Sequence, residues 1–180
     1  MNFPTKKYNI IYADPPWEYK QKQMNLQSYG KGKRYFNHVT EHYPTMTVTE
    51  LKNLPVQSIT AEGCLLFMWT TGPQLDIAIE VGTNWGFRYR TIGFVWEKQR
   101  TNWGFYTLSS VEVCLVFKRG PTPKRAVTNM RQFLSEKLTI HSRKPLEIRR
   151  RIERMFPIQP KIELFSREKM VGWDAWGNEV

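Results

Sequence analysis

Apolar residues along the chain gather into short runs separated by amphipathic or polar stretches. "KYNIIYA" (7–13) is one such run, ends at Asp14 and predicts a buried strand. "GCLLFMWT" (63–70), "YRTIGFVWEK" (89–98), "SVEVCLVFKR" (110–119) and "KIELFS" (161–166) predict four more strands. Between them the period lengthens. Thr47 and Glu50 have the spacing of a capping box opening a short helix that Pro55 ends. Pro73 opens a second helix running to about Asn84. "KPLEIRRRIERMF" predicts the clearest helix: Pro145 suits its first position, Ile148, Ile152, Met155 and Phe156 share one face, and Arg150 and Arg154 lie on the other. Residues 99–109 and 118–137 read as connections, and 18–45 show no clear period. Strands alternating with helices predict an α/β domain with a mainly parallel sheet flanked by helices. In such sheets ligands bind beyond the carboxyl ends of the strands, where Asp14 and Arg167 both stand.

With 180 residues and no linker or repeat, the chain is expected to form a single domain over 1–180. That leaves no room for a separate target-recognition domain. Two cysteines, Cys64 and Cys114, sit inside apolar runs without metal-ligand spacing, which points to reduced buried thiols and an intracellular, cytoplasmic setting. No apolar run is long enough for a membrane span, and no membrane partner is expected. Charge changes the picture more: 27 Lys and Arg against 16 Asp and Glu give a formal +11, which favours a polyanionic partner. A basic but inert surface has the same composition. Candidate phosphate contacts are Lys20, Lys22, Lys31, Lys33 and Arg34 in the first loop, Lys98 and Arg100 in the second, and Lys118, Arg119, Lys124 and Arg125 in the third. Tyr19, Tyr29 and Tyr35 are candidates for stacking on bases. Taken singly, each is more often an ordinary solvated group; the patch as a whole carries the expectation.

The chemistry concentrates in Asp14-Pro15-Pro16-Trp17. Two prolines fix successive backbone angles and supply no N–H, so the neighbouring carbonyls are expected to lack local donors. A carboxylate and carbonyls beside a flat indole suit an exocyclic amine on a planar base. The bland reading is a turn cap followed by a core tryptophan.

"ADPPW" resembles the catalytic signature of the MT-A70 family of N6-adenine methyltransferases. "HYPTM" (42–46), "LFMWTT" (66–71), "WGFRYRTIGFVWEK" (85–98), "HSRKPLEIRRRIE" (141–153), "KIELFSR" (161–167) and "GWDAWGNE" (172–179) resemble that family's other blocks, in its order. The resemblance implies a Rossmann-like methyltransferase fold with permuted motif order, the catalytic motif preceding the cofactor strand. It implies S-adenosylmethionine as cofactor and no metal, because a sulfonium is already an activated methyl donor. Asp14 and the Pro15 carbonyl would accept hydrogen bonds from the adenine amine, Pro16 would shape the turn, and Trp17 would contact the base. Lys144 in "SRKP" would meet the methionine carboxylate, with Asp14 also beside the cofactor. Phe165 would flank it, and Arg167, Asn178 and Glu179 would surround its ribose. Only Gly172 stands where methyltransferases commonly carry a glycine-rich turn, and no residue is assigned to the cofactor's adenine.

The expected partner is therefore DNA, with RNA as the rival, presented single-stranded or flipped out of a duplex. The chain is expected as a monomer or homodimer, with a second subunit as an alternative source of specificity. A catalytically silent nucleic-acid-binding subunit would not need the intact Asp14, Pro15, Pro16, Trp17 and Lys144. A phosphotransferase of the P-loop type would need a Gly-rich loop ending in Lys-Ser or Lys-Thr, and none is present.

Overall fold

The computed structural model describes residues 3–18, 45–104, 106–138, 143–178 and 180. Its frame is a seven-stranded sheet. In chain order the strands are β1 (Tyr8–Ala13), β2 (Thr60–Thr70), β3 (Arg88–Trp103), β4 (Leu108–Arg119), β5 (Phe133–Ser135), β6 (Lys161–Leu164) and β7 (Asp174–Trp176). Their order across the sheet is β5-β3-β4-β2-β1-β6-β7. Only β4 runs against the rest, pairing antiparallel with both β2 and β3. The fold is the mixed α/β, mostly parallel arrangement of a Rossmann-like methyltransferase.

Helices cover both faces, which is why the central strands read as unbroken apolar runs rather than alternating ones. Helices α1 (Val48–Asn53) and α2 (Leu75–Asn84) close one face over Ile11, Leu66, Met68 and Phe117. Helix α3 (Leu146–Met155) closes the other, its Ile148 and Ile152 packing with Ile10, Tyr12, Phe67, Trp69 and Trp96. The capping box forms as the sequence predicts: the Thr47 side chain accepts from the Glu50 N–H, and the Glu50 carboxylate accepts from the Thr47 N–H at 2.8 Å. Pro145 occupies the N-cap of α3 rather than its first helical position, and Pro73 sits in a short 3-10 turn just ahead of α2.

Three segments differ from expectation. Residues 99–109, read as a loop, mostly extend β3 and β4 into a hairpin that closes with Trp103 opposite Leu108. This extension has no face to bury, so it shows no apolar period, and backbone pairing alone defines it. β5 lies inside the supposed connection 118–137, and β7 follows the last predicted strand. Both contain three residues, too few to show alternation.

Candidate active site

β1 enters the sheet between β2 and β6 and delivers Asp14 to the rim where the parallel strands end. Beyond it the chain turns sharply: the Trp17 N–H donates to the Pro15 carbonyl at 2.8 Å, and the Met46 N–H to the Pro16 carbonyl at 2.9 Å. Both proline carbonyls therefore have a local donor, contrary to the expectation that they would have none. The missing donors of the prolines are replaced by those of the next residue and of the strand-like bridge between Trp17 and Met46. Each carbonyl keeps a second lone pair. Trp17 is only 6% exposed, and its indole N–H donates to the Trp69 carbonyl at 3.1 Å. The ring thus packs in the core next to the rim, as in the bland reading, with its orientation locked by that bond.

Lys144, at the approach to α3, meets Asp14 at 2.8 Å through Oδ2. The same ammonium reaches Glu112 Oε2 at 3.2 Å, and Glu112 Oε1 reaches Lys98 at 3.2 Å. Asp14, Lys144, Glu112 and Lys98 so form a chain of alternating charge across β1, the α3 approach, β4 and β3. The Lys144 ammonium also lies 5.8 Å from the centre of the Trp69 ring. Burial pushes the Asp14 carboxyl above its ordinary value, opposed mainly by Lys144. Burial would do the same to Glu112, but Lys144 and Lys98 together hold it below the usual carboxylate range. Burial works against the charge on Lys144, yet the two carboxylates raise it well above an ordinary lysine. A lysine flanked in this way stays cationic across the working pH range.

The second wall follows β6. Phe165, the first residue past that strand, adopts φ 61°, a left-handed conformation uncommon for a bulky side chain. A phenylalanine therefore makes the sharp turn that a glycine would otherwise make, which accounts for the missing glycine-rich signature. Its ring stacks on Trp85 with centroids 6.5 Å apart and meets Trp176 edge-on at 5.6 Å, fixing the turn from both sides. Gly177 permits the next contact, because a Cβ there would lie 2.2 Å from the Ser166 carbonyl oxygen. Arg167 and Asn178 flank these two residues, so the "FSR" and "GNE" segments meet at one corner, and Arg167 contributes to the field at Asp14. Arg143 grips Glu168 through both carboxylate oxygens at 2.7 and 2.9 Å, tying the Lys144 segment to this corner.

Of the predicted site residues, Asp14, Pro15, Pro16, Trp17, Lys144, Phe165, Arg167 and Asn178 thus lie at the same rim. Glu179 lies outside the described residues, as do Tyr19, Lys20, Lys22, Tyr29, Lys31, Lys33, Arg34 and Tyr35. The other basic candidates separate. Lys98 is 8% exposed and committed to Glu112, so it is an internal counter-charge rather than a phosphate contact. Arg100 is exposed on the hairpin at the Asp14 rim. Lys118, Arg119, Lys124 and Arg125 are at the opposite rim. Lys118 and Arg119 pair with Leu65 and Cys64 near the start of β2, and the Lys124 carbonyl accepts from Gln159 just before β6. The reversal of β4 carried them there. Glu112 had no motif to mark it; a lone carboxylate in an otherwise apolar strand was its only signal. The hairpin adds Trp103, 71% exposed, which had read as part of a loop.

A family model described as MT-A70 matches residues 8–179. The chain belongs to the MT-A70 family. Type II methyltransferase M.MunI from a Mycoplasma species is 48% identical over 98% of this chain and 79% of that protein. An N(6)-adenosine-methyltransferase MT-A70-like protein of Arabidopsis thaliana is 29% identical over 96% of this chain. The human N(6)-adenosine-methyltransferase catalytic subunit METTL3 is likewise 29% identical, over 97%. The chain spans 24% and 28% of those two proteins, so the match covers about a quarter of each of those longer chains.

Proposed function

We propose that this chain transfers a methyl group from S-adenosylmethionine to the N6 amine of adenine in DNA. The observation that carries this reading is Asp14 at the carboxyl end of β1, held by Lys144 at 2.8 Å within a motif of the MT-A70 family. The donor set fits the cofactor: Asp14 and Lys144 present one negative and one positive group side by side, complementary to the ammonium and carboxylate of an amino acid. Lys144 would hold the carboxylate. Arg167 and Asn178, with Glu179, would surround the ribose, against the wall made by Phe165. Bound there, S-adenosylmethionine supplies a methyl group already activated by its sulfonium.

The protein's own contribution is alignment and polarisation. Lys144 engages Oδ2 of Asp14, so Oδ1 is the oxygen that accepts from the adenine amine. The Pro15 carbonyl accepts the other N–H with the lone pair that Trp17 does not use. Two acceptors on one amine draw its lone pair out of ring conjugation and stabilise the positive charge that grows on nitrogen. The rigid turn presets both acceptors, so little reorganisation accompanies the reaction. Trp17, anchored through Trp69, backs the turn. Trp103 offers an exposed ring at the same rim for a neighbouring base. No metal is required by this chemistry, and among the described residues no group of three His, Cys, Asp or Glu could hold one. Also among them, no helix is long and apolar enough to cross a membrane.

DNA is favoured over RNA by the 48% identity to a type II methyltransferase; the 29% relatives, named for adenosine methylation, support RNA as the second reading. Labelled-methyl transfer to matched double-stranded DNA, single-stranded DNA and RNA, followed by digestion to nucleosides, separates them. Label in N6-methyladenine from DNA is expected. Exclusive labelling of RNA would move the substrate, and no label in any of the three would overturn the reaction.

A further inference from the structure

At the rim opposite Asp14, the start of β3 and the end of β4 carry a second cluster of cations. Arg88 pairs directly across from Lys118. Arg90 follows at an irregularity where the β3–β4 register shifts between Tyr89 and Thr91. Val116 packs with the α3-side core and Phe117 with the other, so alternation directs Lys118 to the α3 side, and its cross-strand partner Arg88 shares that face. Arg119 points the other way and donates to Thr60 at 2.9 Å.

Arg88, Arg90 and Lys118 with Gly120 line an open cleft of about 230 Å³, and no acidic residue lines it. Among the described residues none of the three cations has an ion-pair partner. The charged chain at the Asp14 rim is built differently: both of its lysines, Lys144 and Lys98, face a carboxylate. Like charges set directly opposite across two strands destabilise the pairing, and a bound anion would remove that cost. Gly120, at φ 62°, makes the turn below the cleft, because a Cβ there would lie 1.9 Å from the Glu62 carbonyl oxygen. The chain therefore folds tightly beneath the cations and leaves the space in front of them open.

We infer that this cleft is a distal phosphate site, gripping the backbone of the same nucleic acid five or more nucleotides from the adenine held at Asp14. The spacing follows from the sheet. Asp14 follows Ala13, which pairs with Met68, while Lys118 pairs with Leu65. That separation along the strands, with the lateral offset of β4 and β3, amounts to roughly 15–20 Å at ~3.3 Å per residue and ~4.8 Å per strand. Because a strand must pass around the buried core rather than through it, that straight-line distance sets a minimum of about five steps at ~3.4 Å each. The site reads no base, since its donors are cationic tips suited to phosphate oxygens. Its work is to extend the footprint on the nucleic-acid backbone beyond the adenine itself.

The inference rests on the nucleic-acid reading above, and the test separates the two. Binding of wild type and of an Arg88→Gln/Arg90→Gln variant is measured by titration against two duplexes. One has about 25 base pairs and the other about seven, each with a central adenine, so the short one extends only about three steps either way; its strands are joined at one end by a non-nucleotide linker. The variant should bind the long duplex about tenfold more weakly at ~0.1 M salt, and its slope of log affinity against log salt should fall by about two. Both proteins should bind the short duplex alike, since it cannot reach the cleft. Equal affinities on the long duplex, or an equal loss on both, would overturn the distal site while leaving methyl transfer by wild type untouched. Failure of wild type to bind or methylate either duplex, with no transfer to single-stranded DNA or RNA either, would remove both readings. Should the double variant fail to fold, Arg90→Glu alone, at an exposed irregularity, is held to the same length-dependent loss.

Discussion

At the scale of single residues, Asp14 unites the two requirements of the proposed reaction: Lys144 holds one oxygen, and on that proposal the other accepts from the amine. Asp14→Asn should reduce methyl transfer by about 10²–10³-fold, the range seen when one preorganised group facing developing charge is removed. Thermal stability should change by less than about 1 kcal/mol, because relief of carboxylate burial offsets the lost pairing with Lys144. Single-turnover kinetics beside a melting curve check both halves; retained activity would exclude the role given to Asp14. The sign of the pH dependence follows from the same carboxyl. Its pKa in the folded protein is raised above the ordinary 3.8, chiefly by burial, so the active anion is lost as pH falls through a window higher than that value. Glu112 contributes to the rise, and Glu112→Gln should shift the acid limb of the pH–rate profile to lower pH. A limb that moves upward, or not at all, would count against the coupling.

At the scale of elements, the sequence pattern made legible whatever buries a face or carries a cap. β1, β2 and α3 announced themselves through apolar runs and period, and Thr47 with Glu50 marked the start of α1. The hairpin arm, β5 and β7 stayed hidden because backbone pairing, not side-chain burial, holds them in the sheet. Within the site, motif residues such as Asp14 and Lys144 could be named, whereas Glu112 could not: its meaning depends on β4 lying antiparallel beside β2, a fact of topology. The same topology carried Lys118 and Arg119 away from the site that linear order implied. Two substitutions test how elements hold the site. Thr47→Ala removes the cap of α1, beside the Met46 that donates to the Pro16 carbonyl, and should cost about 1 kcal/mol of stability in denaturant unfolding. Gly177→Ala forces a Cβ toward the Ser166 carbonyl, so the corner bearing Arg167 and Asn178 must open. It should weaken S-adenosylmethionine binding at least tenfold in calorimetry; wild-type affinity would show that the corner does not hold the cofactor.

At the scale of the whole molecule, the charge is divided by function. The chain Asp14–Lys144–Glu112–Lys98 alternates in sign and sums to neutrality, so the formal +11 of the protein resides elsewhere. Exposed cations interact with phosphates by releasing counterions and are screened by salt, whereas a partly buried ion-paired chain is screened far less. Binding and chemistry should therefore respond differently to ionic strength. Raising salt from ~50 to ~200 mM should weaken nucleic-acid binding by an order of magnitude or more if about two or more phosphates are contacted. The single-turnover rate at saturating nucleic acid should remain within about twofold, because the carboxylate that polarises the amine is mostly buried and ion-paired to Lys144. Titration and rapid-quench measurements at matched salt concentrations supply both numbers. A rate that falls in parallel with affinity would mean that the surface cations also shape the reacting geometry, and the division between a neutral catalytic rim and a cationic periphery would have to be abandoned.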